Sequence, residues 1–375
     1  MRRRVTSARP DWREKVEAIG LTFHTHEKGP YWDEAVHYEF TAQEIDTRER
    51  ATNELHRICI EAAQAVVDNA WWDRLAIPES AIPLIQASWD RDDFSLYGRF
   101  DLAWDGRGTP KLLEYNADTP TALIEASVAQ WFWLQDLHPQ KDQFNSIHER
   151  LIEAWLRFPR TKVHFASMAD CLEDQQTVLY LQDTCQQAGK FTEFLSLGDI
   201  GWDAPAGRFV DMKTEPIAAL FKLYPWEWLL ADTFAQYIPN CSTAFLEPAW
   251  KMLFSNKGLL PVLWELNPGH DLLLPAYESP EPLKGNYVRK PKLSREGANI
   301  TLVSNGSTVI DTGGEYGEEG YVFQGLAGIH DFDGQYPVIG TWVVDHEAAG
   351  MGIREDSTPI TGNLSRFVPH LFEPA

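Results

Sequence analysis

The chain has 375 residues, of which 44% are hydrophobic and 12% aromatic, so it can bury a large core. Its net charge of −22 argues against nucleic acids and anionic membranes as partners, because like charges repel. No stretch has the length of a membrane span or the apolar core of a signal peptide, and Cys59, Cys171, Cys185 and Cys241 lack zinc-like spacing. We therefore expect a cytoplasmic protein with reduced thiols.

The first clear element is a long helix that begins after Thr41. The sequence Thr41-Ala-Gln-Glu44 is a capping box, in which each side chain satisfies a backbone N–H group of the other residue. Apolar residues then recur at helical spacing from Ile45 as far as Val66. This pattern predicts a helix with one buried face.

The segment from Ser95 to Pro120 predicts two short strands joined by a glycine-rich turn. Side chains two apart share a strand face, so Arg99 and Asp101 point the same way, and Glu114 and Asn116 form a second polar pair. Carboxylate and amide oxygens suit Mg²⁺, and a fixed guanidinium stabilises charge on phosphate oxygens. One face of this hairpin therefore suits phosphoryl transfer.

The opposite face of the predicted hairpin is apolar. It takes Phe100, Leu102 and Trp104 from the first strand, and Leu113 and Tyr115 from the second. The alternative interpretation is an ordinary amphipathic hairpin whose polar face is only solvated. The order R-x-D followed by L-L-E-x-N favours the metal site, since it is similar to the metal-binding end of the ATP-grasp ligases.

Beyond residue 120 the pattern predicts helices and strands in alternation, which indicates an α/β lobe. Helices are expected at 121–137, 141–158 and 173–187, and strands at 163–166, 192–196 and 217–223. After residue 287 the pattern changes to hairpins, with two-residue turns expected at Asn305-Gly306 and at Asp345-His346.

The second half of the chain carries residues that could hold a nucleotide. A predicted strand ends at Lys290, and the following loop contains Gly297, where backbone N–H groups could approach phosphate oxygens. Lys257 precedes an apolar helix, and Arg354 ends a hairpin. The strand at 321–325 could offer backbone donors and acceptors to a purine base, with Gln324 at the hinge between lobes. The alternatives are a surface turn for the loop and a surface ion pair for the arginine. Neither a Walker loop nor a G-x-G-x-x-G sequence is present.

Five ordered motifs carry a family resemblance: RFDLAWDG, KLLEYNADTP, SNKGLLP, VRKPKLSREGANI and GIRED. Together they resemble the synthetase region of the glutathionylspermidine synthase family, in particular its stand-alone acid–amine ligases, over nearly the entire chain. The resemblance implies an α+β class with a circularly rearranged, glutathione-synthetase-like ATP-grasp fold and an additional α/β lobe. It also implies one synthetase domain whose parts are an N-terminal helical part (1–90), the metal-binding hairpin and following helix (91–135), the α/β substrate lobe (136–250) and the nucleotide-binding lobe (251–375).

The resemblance also implies roles for individual residues. Asp101, Glu114 and Asn116 would hold magnesium, and Arg99 would be catalytic by stabilising the transition state. The residues implied to bind ATP are Arg99, Phe100, Asp101, Lys257, Lys290, Gly297, Gln324, Arg354, Pro359, Ile360 and Thr361.

Two departures from the family pattern limit what is carried over. Bifunctional members have an amidase domain with catalytic cysteine and histidine, and this chain has no room for one, so hydrolysis is not expected. The family's serine- and cysteine-rich run after the metal motif is replaced here by 117–122, which has no thiol. Neither glutathione nor spermidine is therefore required as a substrate.

The resemblance implies an ATP- and Mg²⁺-dependent carboxylate–amine ligase that works through an acyl phosphate. The chemistry of an acyl phosphate, and not the sequence, leads us to expect that the loop around Ser294–Ala298 acts as a lid that excludes water. Its partners would be a small carboxylate and a small amine, with peptide thiols and polyamines among the candidates. Glu173 and Asp174 are candidate amine-binding residues, by their acidity at a helix start. The alternatives are an amino-acid or peptide ligase with the same grip on ATP, and a nucleotide-binding module without turnover.

Overall fold

The computed structural model describes residues 1–374. The α-helices are α1 (Trp12–Ala18), α2 (Ala42–Asp68), α3 (Ile82–Asp90), α4 (Gln130–Leu137), α5 (Ile147–Arg157), α6 (Leu172–Gln187), α7 (Trp226–Ala231) and α8 (Leu259–Leu266). The strands are β1 (Arg2–Val5), β2 (Thr25–His26), β3 (Gly29–Pro30), β4 (Val36–Thr41), β5 (Tyr97–Ala103), β6 (Lys111–Asn116), β7 (Lys162–Ser167), β8 (Phe191–Ser196), β9 (Gly201–Asp203), β10 (Arg208–Val210), β11 (Ala219–Lys222), β12 (Ala244–Leu246), β13 (Ala276–Tyr277), β14 (Tyr287–Pro291), β15 (Thr301–Ser304), β16 (Ser307–Asp311), β17 (Tyr321–Gly325), β18 (Tyr336–Val344), β19 (Glu347–Asp356), β20 (Arg366–Val368) and β21 (His370–Glu373).

Three sheets organise the molecule. The central sheet is antiparallel with strand order β20-β19-β18-β5-β6, and the hairpin sheet is antiparallel with order β13-β17-β14-β15-β16. The parallel sheet has order β12-β11-β7-β8, with α5 and α6 on one face. The central and hairpin sheets meet where Lys290 of β14 reaches the backbone of β6. The predicted mixed α/β class is confirmed, with hairpins in two sheets and alternating strands and helices around the parallel sheet.

The two ends of the chain are joined in one small sheet. β4 pairs with β1 and also with β21, so residues 1–90 carry strands as well as helices. The predicted capping box is present at the start of α2, where the Thr41 hydroxyl accepts from the Glu44 N–H at 3.2 Å. The apolar face of α2 then packs in the core against β18 and β19. None of the helices in the described residues is both long and apolar enough to cross a membrane.

The predicted hairpins form with the expected turns. Asn305 and Gly306 both have positive φ, as do Asp345 and His346, which is the backbone of a tight two-residue turn. The β5–β6 register aligns Arg99 with Asn116. The sequence therefore predicted this pairing correctly from local alternation and turn chemistry.

The prediction for Leu113 is wrong. A β-bulge shifts the register so that Asp101 pairs with Glu114 but Leu102 pairs with Leu112. Leu112 takes the core position, and Leu113 is the extra residue, on the same side as the polar pair. A bulge breaks the alternation of faces, which a pattern of period two cannot anticipate.

Two predicted helices have different limits. The helix expected at 121–137 starts only after Ala122, whose φ of 66° is not helical, and it contains a π-helical turn at Glu125–Ala129 before α4. The helix expected at 141–158 begins only at Ile147. The strands near 163, 192 and 219 and the helix near 173 are confirmed within a few residues.

Candidate functional site

Five charged side chains meet beside the central sheet. Asp101, on β5, accepts from Arg99 Nε at 2.8 Å and from Arg354 Nη2 at 2.6 Å. Glu114, on β6, lies 3.0 Å from Lys257 Nζ. Asp101 is thus paired with a neighbour on its own strand and with a distant arginine, and Glu114 is paired with a distant lysine.

A missing side chain at Gly340 makes room for Arg99 beside Asp101. Gly340 on β18 pairs with Asp101, and an added Cβ there would lie 3.0 Å from the Arg99 Cδ atom. The space above Gly340 therefore accommodates the aliphatic part of the Arg99 side chain. The side chain of Arg354 extends from β19 to Asp101. Sequence reasoning missed Gly340, since a glycine inside a strand is informative only once its neighbours are known.

Ion pairing outweighs burial for both carboxylates. Burial opposes ionisation of Asp101, but the charges of Arg99 and Arg354 overcome it and lower its pKa below the ordinary value. Burial likewise opposes ionisation of Glu114, and Lys257 more than compensates, so its pKa is also lowered. Both groups are therefore anionic acceptors at neutral pH.

Asn116 supplies an oxygen without a partner. Its side-chain Oδ1 is buried and has no hydrogen-bond donor within the described residues. A buried carbonyl oxygen normally has a partner, because desolvation without one costs about 1–3 kcal/mol. Asp101, Glu114 and Asn116 line the same cavity, so an oxygen-seeking cation fits this donor set.

Lys290 is buried beside these groups. Its Nζ donates to Gln324 Oε1 at 2.8 Å and to the Leu113 carbonyl at 2.9 Å, while Gln324 donates to the Leu112 carbonyl. Burial is the main cause that lowers the pKa of Lys290 to about 8. A buried ammonium with only neutral direct partners is suited to receive an anionic ligand.

Two cavities adjoin at this charged cluster. The first cavity, of about 340 Å³, is lined by Lys290, Gln324 and the apolar residues around them. Pro359, Ile360 and Thr361 also line it. The second cavity, of about 350 Å³, contains Arg99, Asn116 and Arg354. Asp101, Glu114, Lys257 and Gly297 line both cavities. The structure therefore brings together nearly all the residues that the sequence predicted for the site.

Phe100 is the exception among the residues expected to bind ATP. Its ring stacks on Tyr115 at a centroid separation of 3.8 Å and is completely buried. Alternation along β5 turns this side chain to the face opposite Arg99 and Asp101, toward α2. The Phe100 side chain therefore lies outside both cavities.

A loop between β14 and β15 covers the junction of the two cavities. Lys257 Nζ donates to the Ser294 carbonyl at 2.9 Å, and Gly297 has a φ of 70°. A Cβ at Gly297 would lie 2.5 Å from the Thr361 carbonyl oxygen, so the loop packs closely on that segment.

Arg295 anchors the same loop from the other side. It donates to the Thr119 hydroxyl at 2.7 Å and to Glu227 at 2.6 Å. The sequence did not indicate a role for Arg295, because one basic residue in a loop with other charged residues does not by itself point to a site. Its contacts connect the loop to the segment that follows the metal-type residues of β6.

The lining of the second cavity includes several acidic residues. Glu173 and Asp174, at the start of α6, line it together with Asp170, Glu227 and Glu296. Burial raises the pKa of Glu173 and that of Asp174 above their ordinary values. Such carboxylates are under-solvated, so a cationic group beside them would be stabilised.

A second group of metal-type ligands lies on the parallel sheet. His164, Glu193 and Asp211 each offer an atom within 4.8 Å of the others. Glu193 is ion-paired with Lys162 and with Lys213, which occupy its carboxylate. These ion pairs balance the charge of the Glu193 carboxylate. The sequence pattern did not predict this group of three residues.

Comparisons with known proteins show the family of the chain. The model of the family described as glutathionylspermidine synthase preATP-grasp matches residues 3–373. A Haemophilus influenzae protein provisionally named an acid–amine ligase is 43% identical over 393 residues, with 99% of this chain and 100% of that protein covered.

More distant relatives extend the comparison. The bifunctional glutathionylspermidine synthetase/amidase of Escherichia coli is 29% identical, covering 85% of this chain and 56% of that protein. This chain thus spans about half the length of that relative. The solved structure of a glutathione synthetase-like effector from Globodera pallida matches over 98% of both chains with a TM-score of 0.58 and 10% identity, which shows a shared fold. On the family match and the Haemophilus relative, this chain belongs to the glutathionylspermidine synthase family.

Proposed function

We propose that this chain is an ATP- and Mg²⁺-dependent carboxylate–amine ligase with an ATP-grasp fold that forms an amide through an acyl phosphate. Its named relatives are a ligase and a synthetase, and the chain is a carbon–nitrogen ligase like them. One observation carries the proposal: the oxygens of Asp101, Glu114 and Asn116 meet four cations at the junction of two cavities.

The charge balance at the junction favours a polyphosphate. Two carboxylates face four cations, Arg99, Arg354, Lys257 and Lys290, so the cluster has a surplus of positive charge. The first cavity is largely apolar beyond Lys290 and Gln324, which suits a purine base. We therefore propose that ATP lies in the first cavity with its terminal phosphates at the junction.

The donor set fits magnesium. Asp101, Glu114 and Asn116 would hold Mg²⁺, since they offer hard oxygens and the Asn116 Oδ1 lacks any other partner. When bound, Mg²⁺ neutralises charge on the phosphate oxygens of ATP. Arg99 and Arg354 would turn from Asp101 to the transferring phosphoryl group, whose charge a guanidinium fork matches.

The proposed reaction has two steps. A substrate carboxylate oxygen attacks the γ-phosphorus, the bond from that phosphorus to the β-phosphate oxygen breaks, and ADP leaves. An amine nitrogen then attacks the acyl carbon, the bond from carbon to phosphate oxygen breaks, and inorganic phosphate leaves. The reacting nitrogen must first lose a proton, and Glu173 with its raised pKa is a suitable acceptor.

No side-chain nucleophile is needed for this chemistry. The protein positions the two substrates and stabilises charge, and the loop at 294–298 would exclude water from the acyl phosphate. The family's amidase chemistry would need a reactive cysteine. Cys59 is buried in α2, and burial raises the pKa of its thiol, which makes it unreactive.

The proposal is tested by the release of ADP and phosphate from purified protein with pooled acids, thiols, amino acids and polyamines. We expect release only when ATP, Mg²⁺, an acid and an amine are all present. Glu114→Ala should abolish it with the fold retained, and exposed Glu149→Ala should leave it unchanged. Arg99→Lys should keep ATP binding but slow phosphoryl transfer, since a point charge replaces a fork.

Two alternatives have distinct outcomes in the same assay. An amino-acid or peptide ligase would release ADP only with pairs of amino acids or peptides. A nucleotide-binding module would bind ATP tightly and release no ADP with any pool, which would refute the ligase proposal.

A further inference from the structure

Strand β8 lies at one edge of the parallel sheet. The Phe191 N–H donates to the Thr161 carbonyl at 2.9 Å, so alternate residues of β8, beginning with Phe191, direct their backbone groups toward β7. The backbone N–H and C=O groups of Thr192 and Phe194, and the N–H of Ser196, therefore point away from the sheet. Within residues 1–374 these five groups, which we call the β8 edge, have no hydrogen-bond partner.

The other sheet edges in the described part of the chain carry features that prevent pairing with another strand. The outer strands β12, β13 and β20 and the hairpins β2–β3 and β9–β10 have only two or three residues per strand, and β1 carries three arginines. β16 is interrupted by a bulge at Val309. β6 and β21 are covered, since the Leu112 N–H donates to the Leu272 carbonyl and Phe372 exchanges two hydrogen bonds with Asp142.

β8 has none of these protections. It is six residues long, it pairs with β7 in one continuous register, and it contains no proline, lysine or arginine. Its single charged residue, Glu193, directs its backbone toward β7 and is ion-paired with Lys162 and Lys213 of the same chain. An exposed strand of this kind is a template for another strand.

Apolar side chains border the β8 edge. The Thr192 hydroxyl accepts from Gln182 at 3.0 Å and from Gln186 at 2.7 Å, so Thr192 and Phe194 both face α6. Phe194 is 39% exposed, and Leu179, one turn before Gln182 on α6, is 48% exposed. A partner strand would therefore cover apolar surface as well as unpaired backbone groups.

The β8 edge is complementary to itself. An antiparallel pair about a two-fold axis at Phe194 places Phe194 opposite its own copy and Thr192 opposite Ser196 of the second copy. Four backbone hydrogen bonds can then form, two between the Phe194 residues and one from each Ser196 N–H to a Thr192 carbonyl. Glu193 lies opposite Leu195 in this register, so no like charges face each other.

We propose that β8 pairs with β8 of a second copy of this chain, which joins two four-stranded parallel sheets into one sheet of eight strands. Every copy carries the same edge, so no other protein is required. The pairing adds no contact to the residues of the proposed ligase site, and the proposal does not depend on that function.

The test is sedimentation equilibrium of the full chain. Over about 10 to 300 μM protein we expect a monomer–dimer equilibrium, since one strand pair with a small apolar border gives weak association. Each chain has a net charge of −22. Raising NaCl from about 0.02 to 0.3 M should therefore lower the dissociation constant by roughly threefold or more, because salt screens the repulsion between the chains.

Charge swaps at Phe194 test the register. Phe194→Lys and Phe194→Glu should each be monomeric, because each variant places like charges opposite one another, and an equimolar mixture of the two should form dimers. Phe194→Pro removes an outward N–H and none of the hydrogen bonds to β7, so it should also be monomeric. Val309→Lys, at a 60% exposed valine of the bulged strand β16, is the matched control and should associate like the wild type.

Each outcome decides the assignment. A wild-type chain that stays monomeric over the whole concentration range would overturn it, and that measurement needs no variant to fold. So would a dimer that persists in Phe194→Lys or Phe194→Pro, a charge-swapped mixture that stays monomeric, or a dimer lost in Val309→Lys. A dimer that weakens as NaCl is raised would be held by ion pairs and would contradict pairing through β8.

Discussion

Replacing Asp101 with asparagine should destabilise the free protein. Asp101 is 4% exposed and neutralises Arg99 and Arg354, and its isosteric amide would leave two cations facing each other without a counter-ion. Removing one partner of a buried ion pair costs about 3 kcal/mol. For 375 residues the entropy of unfolding is about 0.8 kcal/mol/K, so Tm should fall by about 4 °C.

Nucleotide should reverse this loss. If ATP phosphates take the place of the missing carboxylate, ATP without Mg²⁺ should raise the Tm of Asp101→Asn more than that of the wild type. The assay is differential scanning fluorimetry with and without ATP, and exposed Asp199→Asn is the control. A Tm within about 1 °C of wild type would show that Asp101 does not hold the arginines and would refute the charge argument.

Two further predictions concern other parts of the site. Burial raises the pKa of Glu125 to about 7, so the folded state binds more protons than the unfolded state, and stability falls by about 2 kcal/mol from pH 5.5 to 8. Urea titrations should show this slope reduced in Glu125→Gln and retained in exposed Glu149→Gln. Gly297→Ala should raise KM for ATP roughly tenfold through strain and contact with Thr361. Gly313 has a similar φ, and an added Cβ there would meet open space. Gly313→Ala should therefore leave KM for ATP unchanged, which would exclude backbone strain alone as the cause of the rise in Gly297→Ala.

The predicted hairpin is confirmed because its signals are local. Turn residues fix which strands pair, and alternation then places Arg99 beside Asp101 opposite Glu114. The same reasoning failed at Leu113, where a bulge gives the core position to Leu112 instead. It also missed Arg295, whose partners lie far along the chain.

The amino-acid pattern alone determined the strand pairing, the helix caps and the residue types that suit a metal and a polyphosphate, since each depends on neighbours within a few positions. Only the tertiary structure decided that Lys257, Lys290 and Arg354 meet that hairpin and that Asn116 keeps an unpartnered oxygen. These features depend on packing between segments that are distant along the chain, and no local period or propensity encodes that packing.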